Sequence, residues 1–203
     1  MRKYNLILIL IASCLLSFLI APTEINKKER KDAVTYFKET KKFLKSELKG
    51  LSEAQLNWKP ADSVWSIANC VEHIAVTEKG IFDWAMSTLK ETPNSKMDVS
   101  KKVTDADVKN KVTDRSHKAK APEIFKPSGR FGNTAQSFNA FEKKRDSLIT
   151  YIKTTKDDLR GHFANTQLGL TDTYQLLLLL SAHTKRHTLQ IVELKSMPGF
   201  PAK

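Results

Sequence analysis

Residues 174–195 read YQLLLLLSAHTKRHTLQIVELK. An apolar row runs through this stretch at the three- and four-residue spacing of a helix face: Leu176, Leu179/Leu180, His183, His187, Ile191 and Leu194. Neither proline nor glycine interrupts it, and it is too long for a strand. The pattern predicts a helix from about Thr171 to about Ser196 that is buried over much of its surface. Two of its core-facing positions are imidazoles, His183 and His187, which share one face because they are four residues apart.

Upstream, the same period recurs in three further stretches. From about Asn26 to Lys49, Ala33, Phe37, Phe43/Leu44 and Leu48 recur among charges, and Gly50 supplies a stop. After the turn-rich LSEAQLNWKPADSVWS, residues Ile67, Val71, Ile74, Ile81, Ala85 and Leu89 keep helical spacing from about Ser66 to Lys90, with Ser63 or Ser66 as the cap. A third helix is expected from about Thr134 to Thr154, with Ala135, Phe138, Phe141, Leu148 and Ile152 in phase. Between the second and third lie residues 91–133, with Pro93, Pro122, Pro127, Gly129 and Gly132 and no sustained period, which read as a connection with at most a short helix inside. Strand signals are weak throughout. The reading is all-α: a four-helix bundle whose long crossover makes the second and third helices parallel.

The chain has 203 residues, 40% of them hydrophobic, which suffices for one domain over residues 22–203. With 28% charged residues, seven glycines and seven prolines, collagen-like, mucin-like and wholly disordered classes are excluded, and two cysteines exclude a disulfide framework. Arg2 and Lys3 precede an apolar run from Leu6 to Ala21 that is shorter than the roughly 20 residues a membrane-crossing helix needs. Residues 1–21 are therefore expected to be a signal peptide, and the protein to be exported to the periplasm or cell envelope. Membrane attachment follows only if the segment is retained, or lipidated at Cys14 in the lipobox-like Ile11-Ala12-Ser13-Cys14; the apolar Leu15–Ile20 after that cysteine argues against lipidation. Cleavage leaves Cys70 as a single cysteine. The formal charge of +12 falls to +10 without Arg2 and Lys3, and its positive residues alternate with acids, as in KKERKDAVTYFKETKKFLKSELK, so a solvated face is expected rather than a nucleic-acid partner.

Burying two imidazoles without partners is costly, and a divalent metal taking their neutral nitrogens removes that cost. A third ligand has to come from another helix. His73, inside Val71-Glu72-His73-Ile74-Ala75, is the best placed. On spacing alone, a structural or solvent-facing pair is the plainer reading, with metal as the alternative.

Trp65-Ser66 followed by Val71-Glu72-His73-Ile74, and then Ala182-His183-Thr184-Lys185-Arg186-His187-Thr188-Leu189-Gln190-Ile191, resembles the DinB/YfiT-like superfamily of four-helix bundles. The resemblance spans about residues 25–196 and includes the crossover around Lys120-Ala121-Pro122, Phe125 and Pro127. It implies one divalent metal held by His73, His183 and His187. It also implies the family's range of activities, which includes thiol-dependent transferases and isomerases using mycothiol or bacillithiol. An exported chain departs from that pattern, because such thiols are cytosolic. Homodimerisation, seen in relatives of this fold, is the assembly the resemblance allows.

Three neutral ligands leave at least one coordination position open, suited to lowering the pKa of bound water or to holding a thiolate. Imidazoles discriminate poorly among first-row ions, with zinc and nickel foremost here. Two function classes follow: a metal-dependent transferase or hydrolase of unknown substrate, or a non-catalytic metal-stabilised bundle acting as a binding or structural protein in the envelope. Cys70, three residues before His73, is a candidate fourth ligand, with a small buried hydrophobe as the plainer reading. Glu72 and Glu78 are candidates to orient a ligand; phase turns Glu72 toward solvent, and Glu78, on the Ile74/Ile81 stripe, is the better of the two. His162 could reach the rim from its loop or simply lie on the surface, and His117 is assigned nothing. Trp58, Trp65 and Trp84 are expected to pack the core or close one end, and Arg186 to pair with an acid. No nucleophile elbow, phosphate-binding glycine loop, Cys-x-x-Cys or Glu-x-x-His motif is present.

Overall fold

A computed structural model describes residues 24–91, 98–117 and 119–202. The signal segment expected at 1–21 lies outside the described residues. Four long helices form the bundle: α1 (Lys27–Leu48), α3 (Ile67–Thr88), α5 (Thr134–Thr154) and α6 (Thr173–Ser196), with short helices α2 (Glu53–Asn57) and α4 (Asp105–Thr113) in the connections. Each long helix starts on a side chain that satisfies its otherwise unpaired amides. Asn26, Ser66 and Asp172 do so in capping boxes with Glu29, Asn69 and Gln175, and Asn133 accepts from the Gln136 amide. After α1, the positive φ of 73° at Gly50 takes the chain out of the helix.

The side-chain pairs fix the helix directions. Glu78 meets Arg145 and Phe82 meets Tyr151, so α3 and α5 run parallel, as the long crossover requires. Lys41 meets Asp146 and Lys45 meets Glu142, so α1 and α5 are antiparallel. Tyr174 reaches Glu29 and Lys195 reaches Glu47, so α1 and α6 are parallel. Around the bundle the order is α1, α5, α3, α6, with α4 of the crossover laid on the outside of α6.

Two elements depart from the sequence reading. The stretch expected to be turn-like before the last helix holds an antiparallel hairpin, β1 (Phe163–Thr166) with β2 (Gly169–Asp172), in the register Phe163↔Asp172 to Thr166↔Gly169. The α6 helix therefore starts at Thr173, because Asp172 is spent as its cap. Four-residue strands are too short to show a period, and the hairpin is held from outside by the Val103 amide donating to the Leu170 carbonyl. Among the described residues, no helix is long and apolar enough to cross a membrane.

The core has two apolar parts. One holds Phe37, Leu148, Ile152, Tyr174 and Leu176–Leu178; the other holds Leu44, Ile67, Cys70, Val71, Ile74, Phe141 and Ile191. Between them lies a buried polar layer centred on Arg145, which is fully buried between the rings of Phe37 and Phe141. All five of its N–H donors are used: two on Glu78, one on the Phe37 carbonyl, and one each on the Thr40 and Thr184 hydroxyls.

Candidate metal centre

His73 of α3 and His183 and His187 of α6 meet where these antiparallel helices face each other, one ligand atom from each lying within 4.8 Å of the others. His73 Nε2 is 3.3 Å from His183 Nε2, which is 3.2 Å from His187 Nε2. His73 and His187 are buried, and His183 is the half-buried member of the three.

The partners of the other ring nitrogens decide where the protons are. His73 Nδ1 is 2.7 Å from the Phe125 carbonyl, which only accepts, so Nδ1 carries the hydrogen. His187 Nδ1 is 2.9 Å from Gln190 Oε1, an oxygen also faced by the Arg115 guanidinium. His183 Nδ1 faces the Thr77 hydroxyl at 3.3 Å; that hydroxyl donates to the His73 carbonyl and so accepts from the ring. All three Nε2 lone pairs therefore converge with no proton between them. Protonation offers no escape. Burial lowers the His73 pKa, against the pull of the Phe125 carbonyl; burial and the neighbouring imidazoles take His183 well below its ordinary value; and burial, then His73, bring His187 to about 3.

Three convergent acceptors fit a cation. Nitrogens at 2.0–2.1 Å from a tetrahedral ion stand about 3.3 Å from each other, matching the 3.2 and 3.3 Å found here. Each ring also has the outer oxygen that orients metal-binding imidazoles.

Around the cluster, Trp65 lies against two of the rings, its centroid 4.8 Å from that of His73 and 6.0 Å from that of His187. This one of the three tryptophans belongs to the site. Trp58 packs edge-on to Phe200, whereas Trp84 is 38% exposed and belongs to neither apolar part of the core. Cys70 stands apart from the histidine cluster in the apolar core, where burial pushes its thiol up to about 12. It is the small buried hydrophobe, not a fourth ligand.

The carboxylates also differ from expectation. Glu78 orients no histidine, since both its oxygens are taken by Arg145 at 2.5 and 2.8 Å. Glu72 is not solvated: it is 6% exposed and accepts the backbone N–H groups of Ser128, Gly129 and Arg130. Helical phase correctly turns it from His73, but the crossover covers that face. Among the described residues Arg186 pairs with no acid, and it donates to the carbonyls of Val112 in α4 and of Asp114 and His117 just beyond it. His162 lies at the far end of α6, its carbonyl accepting from Thr173 ten residues before His183, about 15 Å along the helix. Phe125, Thr77 and Gln190 escaped the sequence reading. Gln190 follows His187 by three residues and could have been found by its spacing; a backbone carbonyl 52 residues away leaves no sequence mark.

A bundle presenting three imidazoles from two of its four helices, each braced by an oxygen, is of the class built to hold a single metal ion. The chain belongs to the DinB superfamily, whose family model matches residues 36–191. It is 28% identical over 170 residues to the uncharacterized protein YuaE of Bacillus subtilis (strain 168), covering 80% of this chain and 96% of that one. Among solved structures it is similar to YfiT from Bacillus subtilis, described as "a probable metal-dependent hydrolase with an unusual four-helix bundle topology". That likeness has a TM-score of 0.50 at 15% identity, covers 85% of this chain and 89% of the other, and shows the shared fold.

Proposed function

We propose that His73, His183 and His187 hold one divalent metal ion, zinc or nickel foremost, and that the protein is an exported metal-dependent hydrolase or transferase acting on a small molecule. The observation that carries this reading is the convergence of three unprotonated Nε2 atoms, that of His183 lying 3.3 Å from that of His73 and 3.2 Å from that of His187 and all within 4.8 Å, each ring with its Nδ1 held by an oxygen. YfiT, described as above, lends support through its fold. Export rests on the sequence pattern of residues 2–21 alone.

Such an ion supplies Lewis acidity toward a substrate oxygen or sulfur and toward water. The chain's own residues do the rest. Phe125, Thr77 and Gln190 hold the three rings with Nε2 turned inward, so no reorganisation of the ligands is needed. Trp65 packs against the His73 and His187 rings, and His183 is the most exposed of the three. Among the described residues the cluster contains no carboxylate, and Glu72 and Glu78 are both engaged elsewhere. The ligands are thus neutral, and the full charge of a bound ion acts on what it binds.

The test is elemental analysis of untagged mature protein beside His73→Ala, His183→Ala and His187→Ala. About one first-row ion per chain in the wild type and a sharp loss in each variant is expected, followed by metal-dependent turnover in a screen of ester, amide and thiol-transfer substrates. Equal metal in all four proteins places the site elsewhere. A bound ion that no small thiol or phosphonate can reach leaves the non-catalytic bundle.

A further inference from the structure

The crossover does more than connect α3 to α5. Residues 123–130 lie along α3 and are attached to it at three points. The Phe125 carbonyl accepts from His73 Nδ1 at 2.7 Å. The Glu72 carboxylate accepts three consecutive amides, Ser128 and Arg130 on Oε1 at 2.9 and 3.0 Å and Gly129 on Oε2 at 3.0 Å. The Phe125 ring lies over Gly80, where an added Cβ would stand 2.4 Å from one ring carbon and 2.7 Å from the next.

The loop is shaped for the carboxylate. Gly129 has φ +76° with nothing near its missing side chain, so glycine is required there by the backbone and not by crowding. That turn lets the amides of 128–130 converge on an anion. The anion belongs to the protein itself, one residue before a histidine of the cluster. Arg130 stiffens the strap from within, its guanidinium donating to Ser128 Oγ and to the Ile124 and Lys126 carbonyls.

We propose that Glu72 and Gly80 are positioning residues for the candidate metal centre: they seat the 123–130 strap so that the Phe125 carbonyl fixes the tautomer and aim of His73. The inference rests on the metal reading above and deepens it. A buried mid-helix carboxylate and a mid-helix glycine would otherwise both weaken α3 without return. Both positions face the strap. Without the Phe125 carbonyl the proton of His73 is free to move to Nε2, where the lone pair is needed, and the ring is free to turn Nε2 out of the cluster. Losing an outer partner of a metal-binding imidazole reduces metal affinity by roughly 10–100-fold.

The test titrates Co2+ into the full mature chain and compares the wild type with Glu72→Gln, Gly80→Ala and the surface control Glu142→Gln. Co2+ affinity is read by chelator competition, the ligand field by visible absorption, and the strap by tryptic cleavage at the Arg130–Phe131 bond. Expected are a roughly 10–100-fold weaker affinity, a changed Co2+ spectrum and faster cleavage in the two strap variants, with the control unchanged. Gly80→Ala is the sharper probe, because alanine is the better helix former and its Cβ meets only the Phe125 ring, so it disturbs the seat of the strap and not α3, and a merely structural role would leave Co2+ affinity and spectrum unchanged. If Glu72→Gln does not fold, Gly80→Ala alone decides. Wild-type affinity and spectrum in Gly80→Ala overturn the positioning role even where cleavage is faster. No Co2+ uptake by the wild type overturns the metal reading, and the proposal with it.

Discussion

Replacing Glu78 by glutamine should destabilise this protein more than almost any other single isosteric change. Arg145 is fully buried, Glu78 is 1% exposed, and the two share a bidentate pair at 2.5 and 2.8 Å. Burial raises the Glu78 pKa and the Arg145 guanidinium opposes it. Glutamine keeps the volume and one acceptor but turns an amide toward a buried cation, leaving the charge uncompensated. Breaking such a pair costs about 3–5 kcal/mol, which at a urea slope of about 2–3 kcal/mol/M moves the midpoint by roughly 1–2 M. The companion is Glu78→Leu with Arg145→Met, which removes both charges at similar volume. Replacing a whole buried pair by apolar residues is often near neutral, so the double variant should be more stable than Glu78→Gln. Urea denaturation of the metal-free proteins, followed by circular dichroism, measures both. A Glu78→Gln midpoint within about 0.3 M of wild type, or a double variant less stable than the single, would refute the reasoning.

Three further outcomes follow from other parts of the molecule. Asp105 is paired with Arg160 and Gln175; burial pushes its carboxyl up, but these partners more than offset that and hold it below the usual range. Its contribution is therefore present above the ordinary carboxylate pKa and is lost as pH falls through the depressed value. Asp105→Asn should cost about 0.5–1 kcal/mol at pH 7, a difference that closes toward pH 3; a gap independent of pH would contradict the assignment. Ser66→Ala removes the cap of α3 and should cost about 1 kcal/mol, measurable as a lower melting temperature with the helix content retained. Because Trp65 lies on the His73 and His187 rings, Ni2+ or Cu2+ should quench tryptophan emission in the wild type. Trp65→Phe should remove most of that quenching, and undiminished quenching would mean that the ion binds near Trp58 or Trp84 instead.

The long helices were legible because burial and periodicity agree over many turns: Ala33, Phe37 and Leu44, or Phe141, Leu148 and Ile152, are both in phase and buried. The histidines were legible for a related reason, being polar residues at positions where the period demands apolar ones. Most of what escaped is not decided by any local pattern. The hairpin depends on the Val103 amide and the α6 cap. Arg145 stands in phase with Phe141, Leu148 and Ile152, but it sits in the charged stretch EKKRD and the acid that compensates it, Glu78, is 67 residues away. Glu72 is misread because helical phase gives direction but not what the crossover lays over that direction. In each case the missing information is a contact between residues far apart in sequence.

The buried polar layer bears on the site through register. Thr184, which accepts from Arg145, is the neighbour of His183, and Thr77, which faces His183 Nδ1, is the neighbour of Glu78. Glu78 belongs to α3, Arg145 to α5, Thr40 to α1 and Thr184 to α6, so one guanidinium ties all four helices at a single level. A slip of α6 by one turn, 5.4 Å, would put Ser181, Ala182, His183 and Thr184 where Leu177 to Leu180 now pack, and so would lose apolar contact there. The same slip removes Thr184 from Arg145 and leaves a buried donor unmet, which costs about 1–3 kcal/mol. It also parts His183 from His73. The register that satisfies Arg145 is thus the register that brings the three Nε2 atoms within reach of one ion. The leucines and the polar residues of α6 therefore select the same register, the polar layer lying one level away from where the imidazoles meet.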